Sequence, residues 1–267
     1  MLEAIAPYAR KTDQKNLTPI YVNYKTRKTK LMLITCPEWA ASFVPFNIVR
    51  LSGLTKSAGF ETQILDLNVL CFNEYNKNWA PNKVFDFKLW DSVGFWRWIG
   101  ENYYKDIHPK IEYFLLQYVD KILEYNPTII GFSMYASSEE PTKWMCQEIK
   151  RRNKNIKIAI GGSNVQKGFF QIQPYYDYVV SGEGEKIILD ILEDIENGIV
   201  HNETQYLTQP EEQRIDLNSL PMPDYESIDF SLYAIPNGIT SEFSRGCTAK
   251  CTFCEETHFW KYRQRTA

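Results

Sequence analysis

The sequence predicts an α/β protein built on a doubly wound, five-stranded parallel sheet. Short, almost wholly apolar runs such as LMLIT, TIIGFSMY and IKIAIGG recur through residues 30–200. Strands that lack polar alternation belong to sheets covered on both faces. Between these runs lie segments with apolar residues at helical spacing, and regular strand–helix alternation is the pattern of parallel strands joined by crossover helices.

Residues 1–29 are polar, include the basic stretch from Lys25, and read as an N-terminal arm over the domain surface. LMLIT (31–35) is the first strand; after a loop containing Pro37, residues 45–58 read as a helix stopped by Gly59. ETQILDLN (61–68) is the second strand. Strand signals then pause over residues 69–108, an insert holding Trp79, Trp90, Trp96 and Trp98, four of the seven tryptophans. Such a segment could be a lid or partner surface, but aromatic-rich helical inserts are more often core, and core is the expectation.

From Pro109 the residues Ile111, Phe114, Leu115, Tyr118, Val119, Ile122 and Leu123 mark one buried helical face, ending at Asn126-Pro127. TIIGFSMY (128–135) is the third strand, and Glu139–Arg152 is a helix with Pro141 in its first turn. IKIAIGG (156–162) is the fourth strand, followed by a short helix around Val165–Gln171. YDYVVSGEGE (176–185) supplies the fifth strand and its loop, and Lys186–Glu196 the last helix, closed by Asn197-Gly198. Residues 201–237, with Pro210, Pro221, Pro223 and Pro236 among acidic and turn-forming residues, read as a linker. GITSEFS (238–244) reads as the first strand of a second domain, residues 238–267.

A hydrophobic fraction of 44%, a charged fraction of 24% and a net charge of -3 fit a globular chain and provide no basic face for nucleic acid. No apolar run is long enough to span a bilayer, and the N-terminus lacks a secretory pattern. A reducing cytoplasm is therefore expected, with cysteines acting as thiols or ligands.

In an open parallel sheet, ligands bind beyond the carboxyl ends of the strands. The loops there are TCPEWAAS, SMYASS, GGSN and SGEGE. Gly161 and Gly162 would let a bulky ligand approach backbone, with Ser133 and Ser163 as hydrogen-bond donors. A dinucleotide fingerprint is not met: the nearest match, Gly182-Glu183-Gly184, follows the last strand, lacks the third glycine and carries acidic residues.

Three of the six cysteines, Cys247, Cys251 and Cys254, fall within SRGCTAKCTFC. Thiolates are soft ligands for zinc or iron–sulfur centres, and a polar, glycine-containing loop can turn three of them toward one centre. With His258 as a fourth ligand the set would suit structural zinc. A [4Fe–4S] cluster held by three thiolates instead leaves one iron open to substrate or cofactor.

SRGCTAKCTFC resembles the CxxxCxΦC signature of radical S-adenosylmethionine (SAM) enzymes, with Phe253 as the aromatic residue. Upstream, SMYASS, IAIGGSN and VVSGEGE in that order, followed by a proline-rich acidic linker, resemble the Rossmann-like cobalamin-binding domain of cobalamin-dependent radical SAM proteins. The resemblance implies that Cys247, Cys251 and Cys254 hold a [4Fe–4S] cluster, that SAM binds its open iron with Phe253 near the adenine, and that reduction yields a 5′-deoxyadenosyl radical. It also implies cobalamin on the strand-end loops, around Ser133, Met134, Gly161, Gly162, Ser163, Gly182, Glu183 and Gly184. Methyl transfer or a related modification of a small-molecule or peptide substrate is expected, fed by an external electron donor. The histidine motif that ligates cobalt in many such domains is missing from CPEWAASF. Fewer residues follow Cys254 than the ~30 of one βα unit, so an N-terminal portion with a truncated partial barrel, inactive alone, is expected.

Overall fold

The computed structural model describes residues 27–79, 89, 90, 94–165, 170–210, 214–236, 238–249, 251, 252, 254, 260 and 262–265. Its centre is a parallel sheet made of β1 (Lys30–Thr35), β2 (Glu61–Asp66), β3 (Ile129–Ser133), β4 (Lys157–Gly161), β5 (Tyr178–Ser181) and β6 (Gln205–Thr208), in the spatial order β2-β1-β3-β4-β5-β6. The sheet therefore has six strands where five were expected. The extra strand is a half-exposed edge, and it lies in the stretch that reads as linker.

Helices cover both faces. On one side α1 (Phe46–Ser57) and α5 (Glu185–Glu196) pack over Leu31, Leu33, Ile129, Ala159 and Val180. On the other, α2 (Leu67–Trp79), α3 (His108–Tyr125) and α4 (Glu139–Arg152) cover Met32, Ile34, Ile130, Phe132, Ile158 and Ile160. Alternate residues of one strand thus feed two cores, which is why the strands read as continuously apolar.

The second strand stops two residues earlier than expected. The Asp66 carboxylate accepts a hydrogen bond from Val69 N at 3.1 Å and satisfies a free donor of α2, so Leu67 and Asn68 open a helix instead of ending a strand. At the end of α3, Asn126 adopts φ 54° and turns the chain into β3. The tryptophan-rich insert divides by exposure. Trp90 and Trp98 are buried, their rings 5.1 Å apart, and Trp98 Nε1 donates to Leu89 O at 2.6 Å, whereas Phe95 and Trp96 are each 47% exposed. The short helix expected at 165–171 falls mostly outside the described residues.

GITSEFS does not form the expected strand. The ladder contains only β7 (Ser244–Arg245), paired antiparallel with β8 (Arg263–Gln264). The preceding residues are held by other bonds, with Thr240 Oγ1 donating to Val44 O at 3.2 Å and Gly238 N to Ile235 O at 3.0 Å.

Candidate functional site between the strand ends and the cysteine loop

Small residues hollow the sheet face between α1 and α5. The register sets Leu33 beside Gly131 and Gly131 beside Ala159, so two neighbouring positions under the helices carry almost no side chain. The result is a cavity of about 530 Å³ that runs to the carboxyl ends of β3, β4 and β5, within the size range of small-molecule sites. Phe46, Asn47 and Arg50 of α1 form one wall, and Glu185 and Ile188 of α5 another. Glu242, Ser244, Arg245, Gly246 and Trp260 close the far side, so the residues that lead directly into Cys247 share the cavity with the strand-end loops.

Several sequence-predicted positions meet here. Ser133, Gly161, Gly162, Ser163, Gly182 and Gly184 all line the cavity. The Ser133 hydroxyl accepts a hydrogen bond from Asn47 Nδ2, which also donates to Tyr135 Oη at 3.2 Å. Tyr135 stacks on Trp39 with centroids 5.8 Å apart, and both rings line the cavity. Burial, and after it the Asp66 carboxylate, pushes the Tyr135 phenol up to about 12, so it serves as a neutral hydroxyl at ordinary pH.

The glycines differ in what they do. A Cβ on Gly182 would meet nothing within 4 Å, and one on Gly161 only Val180 at 3.8 Å, so these positions leave open space on the cavity side. A Cβ on Gly162 would instead lie 2.4 Å from Met134 O, which makes that glycine a backbone contact between two strand-end loops. Met134 itself is buried in the core of the opposite face, and its backbone N donates to Gly161 O at 2.8 Å. Glu183 is not among the residues lining the cavity; it pairs with Arg245 and Arg263.

Arg245 ties the two sides together. It is buried, with Nε 2.7 Å from Glu242 Oε1, Nη1 3.4 Å from Glu183 Oε2 and Nη2 paired with Glu185 Oε1. Burial opposes its charge, but the hydrogen bonds it donates to Glu242 and Glu185 outweigh that and hold the guanidinium above its ordinary value. Arg50 lacks such a set: burial lowers its pKa, only partly offset by Glu242 at 3.8 Å. Of these charged residues only Glu183 was singled out in the sequence, although Arg245 sits two positions before the first motif cysteine.

Cys247 and Cys251 are exposed and Cys254 is half-buried, on one loop closed by a Cys254 N to Cys251 O hydrogen bond of 3.1 Å. Among the described residues, no three His, Cys, Asp or Glu side chains are gathered into a metal-binding arrangement. The donor set, three accessible soft thiols beside a cavity, fits an iron–sulfur cluster chemically. Phe253 and His258, the expected adenine neighbour and alternative zinc ligand, lie outside the described residues. No helix among the described residues is long and apolar enough to cross a membrane.

No family model matches the chain. It is 26% identical over 172 residues to an anaerobic magnesium-protoporphyrin IX monomethyl ester cyclase of Rubrivivax gelatinosus, an alignment that covers 55% of this chain and 30% of that protein. The cyclase of the same description from Synechocystis sp. is 25% identical over 166 residues, covering 55% of this chain and 33% of its own length. The matched region thus spans about a third of these curated relatives. Among solved structures, the radical S-adenosylmethionine methyltransferase TsrM of Kitasatospora setae, with tryptophan substrate and the SAM analogue aza-SAM bound, superposes with a TM-score of 0.54 at 17% identity. That superposition covers 89% of this chain and 43% of TsrM, and shows a shared fold. The cysteine spacing, the order of the strand-end loops and the similarity to these cyclases together support a likeness to the cobalamin-dependent radical SAM proteins, and the TsrM superposition adds the shared fold.

Proposed function

We propose that this chain is the cobalamin-binding part and the cluster-loop segment of a radical SAM enzyme, one that performs methyl transfer or a related modification. One observation carries the reading: a single cavity is lined on one side by the strand-end glycines and on the other by Ser244–Gly246, the residues that deliver Cys247.

The residues present suit both groups. The glycine-bordered space at Gly161, Gly182 and Gly184, with apolar walls and a few convergent polar atoms, would take a nucleotide-sized portion of a corrinoid. Ser133, held by Asn47, would hydrogen-bond to it, and Trp39 and Tyr135 would provide flat apolar contact at the mouth. Cys247, Cys251 and Cys254 would hold the [4Fe–4S] cluster, and their thiols must draw together to do so, since no preformed cluster of donors is present among the described residues. Phe253 would lie against SAM. When bound, the cluster would supply the electron for reductive cleavage of SAM, and cobalamin would supply a methyl carrier. The protein's part is to bind, orient and shield, since the difficult chemistry belongs to the cofactors.

The substrate class is a small molecule or peptide, the electron donor is external, and the setting is a reducing cytoplasm. The test is anaerobic purification and reconstitution of the 267-residue chain, followed by iron, zinc and cobalamin quantification. A brown protein with about four irons, lost in a Cys247→Ala, Cys251→Ala, Cys254→Ala triple variant, and retained hydroxocobalamin with a changed visible spectrum are the expected results. Stoichiometric zinc without iron, or hydroxocobalamin that passes through gel filtration unretained, would overturn it.

A further inference from the structure

Six charged side chains meet where the β5–α5 turn faces β7. Glu183 belongs to the turn and Glu185 opens α5, Glu242 and Arg245 belong to the approach of the cysteine loop, Arg263 to β8 and Arg50 to α1. Three carboxylates face three guanidinium groups, so the set is neutral as a whole. Glu183, Glu185, Arg50 and Arg245 are each more than nine-tenths buried. Buried ion pairs add little net stability, because desolvation cancels most of the attraction, but a misplaced buried charge is heavily penalised. Such a network therefore fixes geometry more than it raises stability.

Its geometry joins two features of the site. Gly182 and Gly184 flank Glu183 and line the cavity, so the turn that carries the carboxylates is also a wall of the ligand space. Arg245 is two residues from Cys247 and lies with its guanidinium 5.6 Å from the Trp260 ring, another cavity-lining group. Its partner strand is anchored in turn: Arg263 pairs with Glu183 and donates from Nη1 to Ile215 O at 3.0 Å, and Arg265 N donates to Phe243 O at 2.8 Å. Within the cysteine loop, Cys254 N donates to Cys251 O and Ala249 N to Cys247 Sγ.

We propose that Arg245 is the positioning residue of the cysteine loop: held by Glu183 and Glu185, it sets where Gly246 and Cys247 stand relative to the glycine turn that walls the cavity. The β5–α5 turn and the start of the thiol loop then move as one unit, and a change at either is felt at the other. Only the second arm of the test rests on the reading of the loop as a cluster ligand.

The first arm is hydrogen exchange on the ligand-free 267-residue chain, comparing wild type with Arg245→Met and Arg245→Lys. Arg245→Met should raise exchange roughly ten-fold or more in both residues 181–186 and residues 243–249, while Arg245→Lys stays within about three-fold of wild type. Glu183→Gln, which leaves Arg245 its other two carboxylates, should raise exchange in the same two segments by a smaller factor and stands in if Arg245→Met does not fold. Faster exchange confined to residues 243–249, with 181–186 unchanged, would overturn the coupling. The second arm is the electron paramagnetic resonance spectrum of the reduced, reconstituted protein with and without SAM. Arg245→Met should keep its iron but lose the SAM-induced change in the signal, and Arg245→Lys should restore it. An unaltered SAM response in Arg245→Met would refute the positioning role. Failure of wild type to take up iron would sink the proposed function, and the exchange result would still decide whether Arg245 couples the two segments.

Discussion

Gly161 ends β4 and Gly162 directly follows it, and both line the same cavity, yet alanine should be tolerated at one and not at the other. At Gly162 the backbone has φ 111°, and a Cβ there would lie 2.4 Å from Met134 O and 2.6 Å from Met134 N. Both are main-chain atoms that cannot rotate away. An L-residue held in the left-handed region costs about 1–2 kcal/mol before any clash. Relieving the clash must also disturb the Met134 N to Gly161 O and Asn164 N to Met134 O bonds, each worth about 1 kcal/mol. The expected loss for Gly162→Ala is therefore about 3 kcal/mol. At Gly161 the nearest atoms to a Cβ are Val180 Cβ and O at 3.8 Å, ordinary contact distance. There the reduced freedom of the unfolded chain favours alanine, so the change should fall within about 1 kcal/mol of wild type. Urea unfolding followed by far-ultraviolet circular dichroism, with equal m-values, measures both. A Gly162→Ala loss below about 1 kcal/mol, or equal losses at the two positions, would refute the assignment of Gly162 as a backbone contact between loops.

Asp66 predicts a pH dependence. Burial raises its pKa to about 6 despite hydrogen bonds from Tyr233 Oη and Val69 N. The folded state therefore holds its proton where the unfolded state, near 4, has lost it, so stability should fall by about 3 kcal/mol as pH rises from about 3 to about 7. Asp66→Asn should flatten that part of a pH–stability curve; an unchanged slope would show that Asp66 is not its source. Trp98→Ala should cost about 3–5 kcal/mol in urea unfolding, because Trp98 is fully buried and donates to Leu89 O, while Trp96→Ala should cost less than about 1 kcal/mol. Cys247→Ser should leave the urea midpoint of the metal-free protein within about 0.5 kcal/mol of wild type, since the side chain is exposed, and should lower iron uptake on reconstitution.

The sheet core was legible in the sequence because its strands are buried on both faces and interrupted by glycine, proline and asparagine. Glu139–Arg152 matches its helix end to end, and the bounds of α1 and α3 shift by a single residue. The sixth strand was not legible, for a physical reason. QYLT is short and half-exposed, and what makes it a strand is pairing with β5, supported by Gln205 N to Asp177 O at 2.9 Å and Thr204 Oγ1 to Tyr176 O at 2.7 Å. Nothing local in those four residues encodes that neighbour. The cysteine loop announced itself because three thiols at short spacing on polar sequence are chemically unusual. The cavity did not, because its floor depends on register: Gly131 and Ala159 belong to different strands and become a hollow only when paired. Arg245 and Glu185 likewise look like ordinary surface charges until the fold buries them opposite each other.

The proline-rich stretch between the sheet and the cysteines reads as a linker, and its contacts fasten it along the domain surface. Arg50 Nη1 donates to Pro221 O at 2.6 Å, Ser52 Oγ to Asp224 Oδ2 at 2.6 Å, and Lys56 Nζ lies 2.7 Å from the same carboxylate. A Cβ on Gly53 would stand 2.2 Å from Met222 O, so α1 has a bare position where this stretch crosses it. Farther along, Tyr233 Oη donates to Asp66 Oδ2 at 2.8 Å, at the end of β2. The chain is thus pinned to α1 and to the strand ends before it reaches Thr240, and α1 is also a wall of the cavity. A flexible tether would present the thiols anywhere within its reach. A strap fastened along the cavity wall brings them to one edge of that cavity, and Arg245 then has only a short segment left to fix.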